Sequence, residues 1–143
     1  MAMVISAPQT DAKPRQTAMW CHLAGAIASG LHLASGGGIT VFLFLVPIII
    51  WLGAREDSSF VDDHGREAVN FQISLIVYFI VGNVIESIIH WDFAEPIGVL
   101  GLIGTILAAA AANRGEYFRY PMCLRPLREP RVLNPEGGPV GPS

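Results

Sequence analysis

The chain has 143 residues, enough for one domain; 52% are apolar and 15% charged, against about 25% charged in an ordinary soluble domain. A net charge of −3 with no basic stripe excludes a free nucleic-acid binder. Residues 16–54, 68–85 and 96–113 contain no Asp, Glu, Lys or Arg, and a membrane span needs roughly 20 mostly apolar residues, so a soluble globular monomer is excluded too.

In chain order, residues 1–16 form a polar leader carrying Lys13 and Arg15, with no cleavable-signal pattern after it. The uncharged stretch that follows divides into spans at about 17–34 and 39–54, with Ser35-Gly36-Gly37-Gly38 as a tight connection. In the first span Gly25-x-x-x-Ser29 and Ala26-x-x-x-Gly30 allow another helix to approach closely. His22 and His32 are weak candidates for contact with a pigment or haem, since imidazole is the commonest metal ligand. They lie about 15 Å apart along a helix and about 80° apart around it, so they cannot share one metal. Pro47 is expected to kink the second span.

A charged segment, 55–70, precedes the third span. Ser59 is placed to cap a helix, with Asp62 answering it. At 100° per residue Phe60, His64, Ala68 and Phe71 share one face, and Asp62, Asp63, Arg66 and Asn70 the other, with Glu67 on the border. A helix over 59–90 would measure about 48 Å, more than a bilayer core of about 30 Å. Residues 59–70 are therefore expected along the interface, bending near Gly65 or Asn70 into a span at 71–90. That span carries Glu86, flanked by Asn83 and His90; an intramembrane carboxylate is a functional candidate by default, and its plain alternative is to snorkel outward and pair with His90. A hairpin at 90–95 leads to the fourth span at 96–113, opened by Pro96. Residues 121–143 hold six prolines interleaved with Arg125, Arg128 and Arg131 and are expected to form an extended arm.

The fold class expected is an all-α integral membrane protein: four transmembrane helices within 17–120, an interfacial helix before the third, and a C-terminal arm. All nine basic residues fall in the leader, in the 55–70 segment or beyond 113. With four spans those regions share one side, which places both termini in the cytoplasm and the protein in the inner membrane. No disulfide is expected of Cys21 and Cys123 on that side.

Trp20-x-His22-Leu23, Ile50-Trp51-Leu52, the run from Phe60 to Ser74 centred on Asp62-Asp63-His64-Gly65-Arg66-Glu67-Ala68-Val69-Asn70-Phe71, and Asn113-Arg114-Gly115-Glu116-Tyr117-Phe118-Arg119-Tyr120-Pro121 carry a resemblance. Together they resemble small four-helix bacterial membrane proteins of unknown function, distantly similar to the channel-like subunit of the chloroplast inner-envelope translocon (Tic). The resemblance spans about residues 17–127 and implies a four-helix membrane fold.

No nucleophile has a base at hand, and no metal-ligand spacing or convergent carboxylate pair is present. A non-enzymatic role is expected, without cofactor or small-molecule substrate. Partners are membrane lipids and other membrane subunits. The leading expectation is an accessory subunit of a larger membrane complex, respiratory or photosynthetic. It would dock through Gly25 and Ser29, the interfacial helix (Phe60, Asp62, Asp63, His64, Arg66, Glu67, Phe71), Arg119 and the arm (Arg125, Arg128, Arg131). The alternatives are a Tic-like channel or translocation component acting as an oligomer, and a surface module recruiting a soluble partner through Asp62, Asp63, Arg66 and Glu67.

Overall fold

A computed structural model describes residues 3–6, 10–35 and 43–127. In order they form β1 (Met3–Ser6), α1 (Ala12–Ser35), a 3-10 turn (Leu43–Leu45) leading into α2 (Val46–Ala54), α3 (Ser59–Ile89), α4 (Ala94–Arg114) and β2 (Glu116–Arg119). The Gly36–Gly38 connection, the first residues of the expected second span, Arg128 and Arg131 lie outside the described residues.

Among the described residues there are four α-helices, and two of them, α3 and α4, are long and apolar enough to cross a membrane. Helix α1 has 24 residues, but its Ala, Gly, Ser and His content dilutes its hydropathy. The apolar helical stretch Leu43–Ala54 is shorter than a full span. Four membrane-length apolar helices are thus not found among the described residues.

The all-α expectation also missed a two-stranded ribbon. Strand β1 pairs antiparallel with β2, Met3 opposite Arg119 and Ser6 opposite Glu116. The ribbon brings the start of the chain to the end of α4. Around it α1 packs most extensively on α4, with α3 against both. Small residues make that approach close: Gly25 faces the Gln72 side chain and Thr105, and Gly101 faces Ser29 and Leu75. The Gly25–Ser29 face is thereby occupied within the chain, whereas Gly30 faces open space. The apolar core joins Phe71 and Leu75 of α3 to Ala108 and Ala111 of α4 and to Phe118 and Tyr120.

Three local expectations are corrected. The cap of α3 is Ser58, whose hydroxyl accepts from Phe60 N–H at 3.2 Å, one residue earlier than expected. Asp62 instead accepts a bond from Trp51 Nε1 at 2.9 Å and pairs with Arg66 one turn on. Pro47 stands at the start of α2, where its missing N–H costs nothing, rather than at a kink. Helix α3 runs unbroken through Gly65 and Asn70.

Gly65 is there for another reason: the base of the Trp51 side chain lies on it. A Cβ at this position would stand 2.6 Å from Trp51 Cγ and 2.8 Å from its Cβ. Those atoms belong to the stiff root of the side chain, so α2 itself must shift. Gly65→Ala is expected to cost about 1–3 kcal/mol by overpacking, measured as a lowered thermal midpoint in detergent micelles. Gly30→Ala, with nothing within 4 Å, is the control and should raise the midpoint slightly through helix propensity.

Candidate functional site

The most chemically dense region lies where the N-terminal halves of α1 and α3 meet β2 and the residues after it. His22 of α1, His64 of α3 and Tyr120 are all fully enclosed. His22 Nδ1 lies 2.9 Å from the Tyr120 hydroxyl, and His22 Nε2 lies 2.9 Å from His64 Nδ1. His64 Nε2 lies 3.0 Å from the Glu116 carbonyl.

The direction of this chain follows from its end. A carbonyl can only accept, so His64 Nε2–H donates to Glu116, and neutral His64 must accept at Nδ1. His22 then donates from Nε2 and accepts at Nδ1 from the Tyr120 hydroxyl. Each of the three groups is neutral and in one fixed tautomer or rotor. Burial pushes the Tyr120 phenol well up, with the Glu67 carboxylate adding to the shift, which keeps its proton in place to donate. Burial likewise lowers His64, to about 4; Arg119 lowers it further, while Asp63 and the Glu116 carbonyl act in the opposite direction.

A shell of ion pairs surrounds the chain. Arg119 grips Asp63 with two bonds of 2.6 Å, a bidentate fork. Glu67, 4% exposed, accepts from Arg125 Nη2 and from Tyr120 N–H, both at 2.9 Å. Asp63, Arg66, Glu67, Asn70, Arg119, Arg125 and Leu127 line one pocket of about 200 Å³. Of the arginines expected to dock outward, Arg119 and Arg125 are thus turned back onto α3.

The residues expected to recruit an outside partner are therefore engaged inside the chain: Asp62 with Trp51 and Arg66, Asp63 with Arg119, Glu67 with Arg125. Phe60 packs on Ala18 and Ala112, and Phe71 stacks on Tyr120 at 3.8 Å. Of the two candidate ligand histidines, His22 has both ring nitrogens occupied in hydrogen bonds. His32 packs instead against Phe79, ring centroids 4.3 Å apart. No cluster of three metal-ligating side chains occurs among the described residues.

At the far end of α3, Asn83, Glu86, Ser87 and His90 line a separate open depression. The bond found between Glu86 and His90 runs from the His90 N–H to the Glu86 carbonyl, closing the helix in a left-handed C-cap. Just before α4, whose N-cap is Phe93, Asp92 Oδ1 accepts from Ala94 N–H at 2.7 Å.

Sequence reasoning missed Tyr120, Ser74, Tyr78 and Trp51 as polar partners. The missed signal is a stripe: Asp63, Glu67, Asn70, Ser74 and Tyr78 recur at intervals of three and four along α3 and persist into its apolar half.

The MamF/MmsF family, described as the magnetosome magnetite crystal formation protein family, matches residues 13–127. No curated protein and no solved structure matches the chain. The translocon likeness is not among these matches, and the channel expectation is not carried further.

Proposed function

The chain belongs to the MamF/MmsF family of magnetosome magnetite crystal formation proteins, and from that premise we propose a non-catalytic membrane subunit of the crystal-forming assembly. The magnetosome membrane then takes the place of the respiratory or photosynthetic host expected from the sequence. One observation carries the non-catalytic part: the buried ionisable groups satisfy one another. His22, His64 and Tyr120 form a closed chain, and Glu67 is saturated by Arg125 and a backbone N–H. Their work is to hold α1 and α3 to the residues that follow α4.

In this proposal α3 from about residue 71 onward and α4 cross the membrane, and the first turns of α3 (59–70) stand at the cytoplasmic interface outside the span. Helix α1 and the segment ending in α2 complete a four-helix unit, and both termini are cytoplasmic. Two observations support that orientation: the nine basic residues sit in three segments of the chain, and β1 pairs with β2 beside the ion-pair shell. The hairpin at 90–95 and the Glu86 depression then face the compartment in which the crystal grows. Carboxylates and imidazole are suitable ligands for iron at a mineral surface.

Crystal size read by electron microscopy tests this, in magnetite-forming cells lacking the native gene. Wild-type protein should restore crystal size. The combined Glu86→Gln, His90→Gln and Glu95→Gln variant should accumulate normally yet leave crystals measurably altered. Full restoration by that variant would remove the hairpin from contact with mineral.

A further inference from the structure

The residues that follow β2 go out along α3 and come back. Tyr120 N–H donates to Glu67; the Tyr78 hydroxyl donates to the Met122 carbonyl; Leu124 N–H donates to Ser74 Oγ at 2.8 Å. Leu127 N–H then donates to Asn70 Oδ1 at 3.0 Å, and Asn70 Nδ2 donates to the Leu127 carbonyl at 2.9 Å. The partners on α3 thus run 67, 78, 74, 70. The turn of the loop, Met122, sits beside Tyr78, roughly 10 Å along the helix beyond Phe71.

We propose that residues 121–124 form a re-entrant loop that inserts among the lipid acyl chains of the cytoplasmic leaflet, an inference that rests on the membrane orientation given above. Three observations carry it. Pro121, Met122, Cys123 and Leu124 bear no charge, while Arg125 is held back at the level of Glu67. Met122 is 85% exposed and Leu124 45%, and the neighbouring turns of α3 present Val77, Ile80 and Val81 outward, so the loop tip and the helix offer apolar surface at the same depth.

The third observation is the most specific. Irregular backbone at membrane depth persists only where its polar groups have partners inside the protein. Here Asn70, Ser74 and Tyr78 supply them, from positions where an apolar span would otherwise hold apolar residues. Met122 also holds a left-handed backbone, φ 55°, at the turn, an unfavourable conformation for a non-glycine residue that the Tyr78 bond helps fix.

The test uses the full chain with Cys21→Ala and Cys123→Ala, reconstituted in phosphatidylcholine–phosphatidylglycerol vesicles. Single spin labels are attached at Met122→Cys, at Leu124→Cys, at Ile103→Cys as the lipid reference and at Glu56→Cys as the water reference. Collisional relaxation by oxygen and by a water-soluble nickel chelate is then compared. The labels at 122 and 124 should follow 103, with chelate accessibility several-fold below that at 56. If 122 and 124 follow 56 while 103 stays lipid-like, the re-entrant loop is wrong and the insertion of α4 in the membrane stands. If 103 also follows 56, both are overturned.

Discussion

Replacing His22 by Ala is expected to destabilise the protein by about 4 kcal/mol or more, the largest effect of any single side chain here. Two buried groups lose their partners at once, the Tyr120 hydroxyl and His64 Nδ1, at about 1–3 kcal/mol each, and a void replaces the ring. Denaturant unfolding in mixed micelles measures it. His22→Phe separates the two contributions, because it fills the space without offering a donor or acceptor. It should still cost about 2 kcal/mol, and a neutral result would mean that the hydrogen-bonded chain contributes nothing net. Tyr120→Phe orphans a single group, His22 Nδ1, and should fall below His22→Ala.

The second large effect is a loss of stability in acid. His64 binds its proton at about pH 4 in the fold, against about 6.5 in the unfolded chain, so the unfolded state takes up the proton first. Its contribution is complete above pH 6.5 and is lost as pH falls from there through 4, on the order of 3 kcal/mol in total. The geometry agrees in sign. A cation at His64 would turn Nδ1 into a donor facing the Nε2–H of His22, and the nearest carboxylates, Asp63 and Glu67, are already bound by Arg119 and Arg125. Unfolding midpoints measured from pH 8 down to 4.5 should fall steeply below 6.5. The slope between 6.5 and 5 should flatten in His64→Gln, which cannot take up the proton; an equal slope in both proteins would assign the acid sensitivity to other groups.

Helix boundaries were legible in the sequence because charge and glycine punctuate it. Helices α1 and α4 cover the apolar segments 17–34 and 96–113, α3 covers 71–90 up to Ile89, and the break near residue 55 separates α2 from α3. The ribbon was not legible: β1 and β2 are four residues each, joined across the length of the chain, and neither shows a clear alternating pattern. The role of the charged segment was half legible. Periodicity separates Phe60, His64 and Phe71 from Asp62, Asp63 and Arg66, but solvent and an arginine arm look alike to a helical wheel. Periodicity cannot report that Arg119 lies 56 residues away in sequence and 2.6 Å away in space. His22 and His64 were noted separately, one as a ligand candidate and one as a face residue. Their meeting depends on α1 and α3 packing side by side, which spacing within either helix does not encode.

The distance in sequence between those partners sets an order on synthesis. His22 emerges early, Asp63 and Glu67 midway, and Arg119, Tyr120 and Arg125 after the last helix. Until the stretch after α4 leaves the ribosome, Asp63 and Glu67 lack the arginines that pair with them in the fold, and His22 Nδ1 lacks the Tyr120 hydroxyl. That end of the protein must stay hydrated while the spans insert, and it dries only when the C-terminal segment closes over it. A chain cut short before residue 119 would keep its helices and lose its lock, so the emergence of residues 119–125 is itself the event that seals the fold.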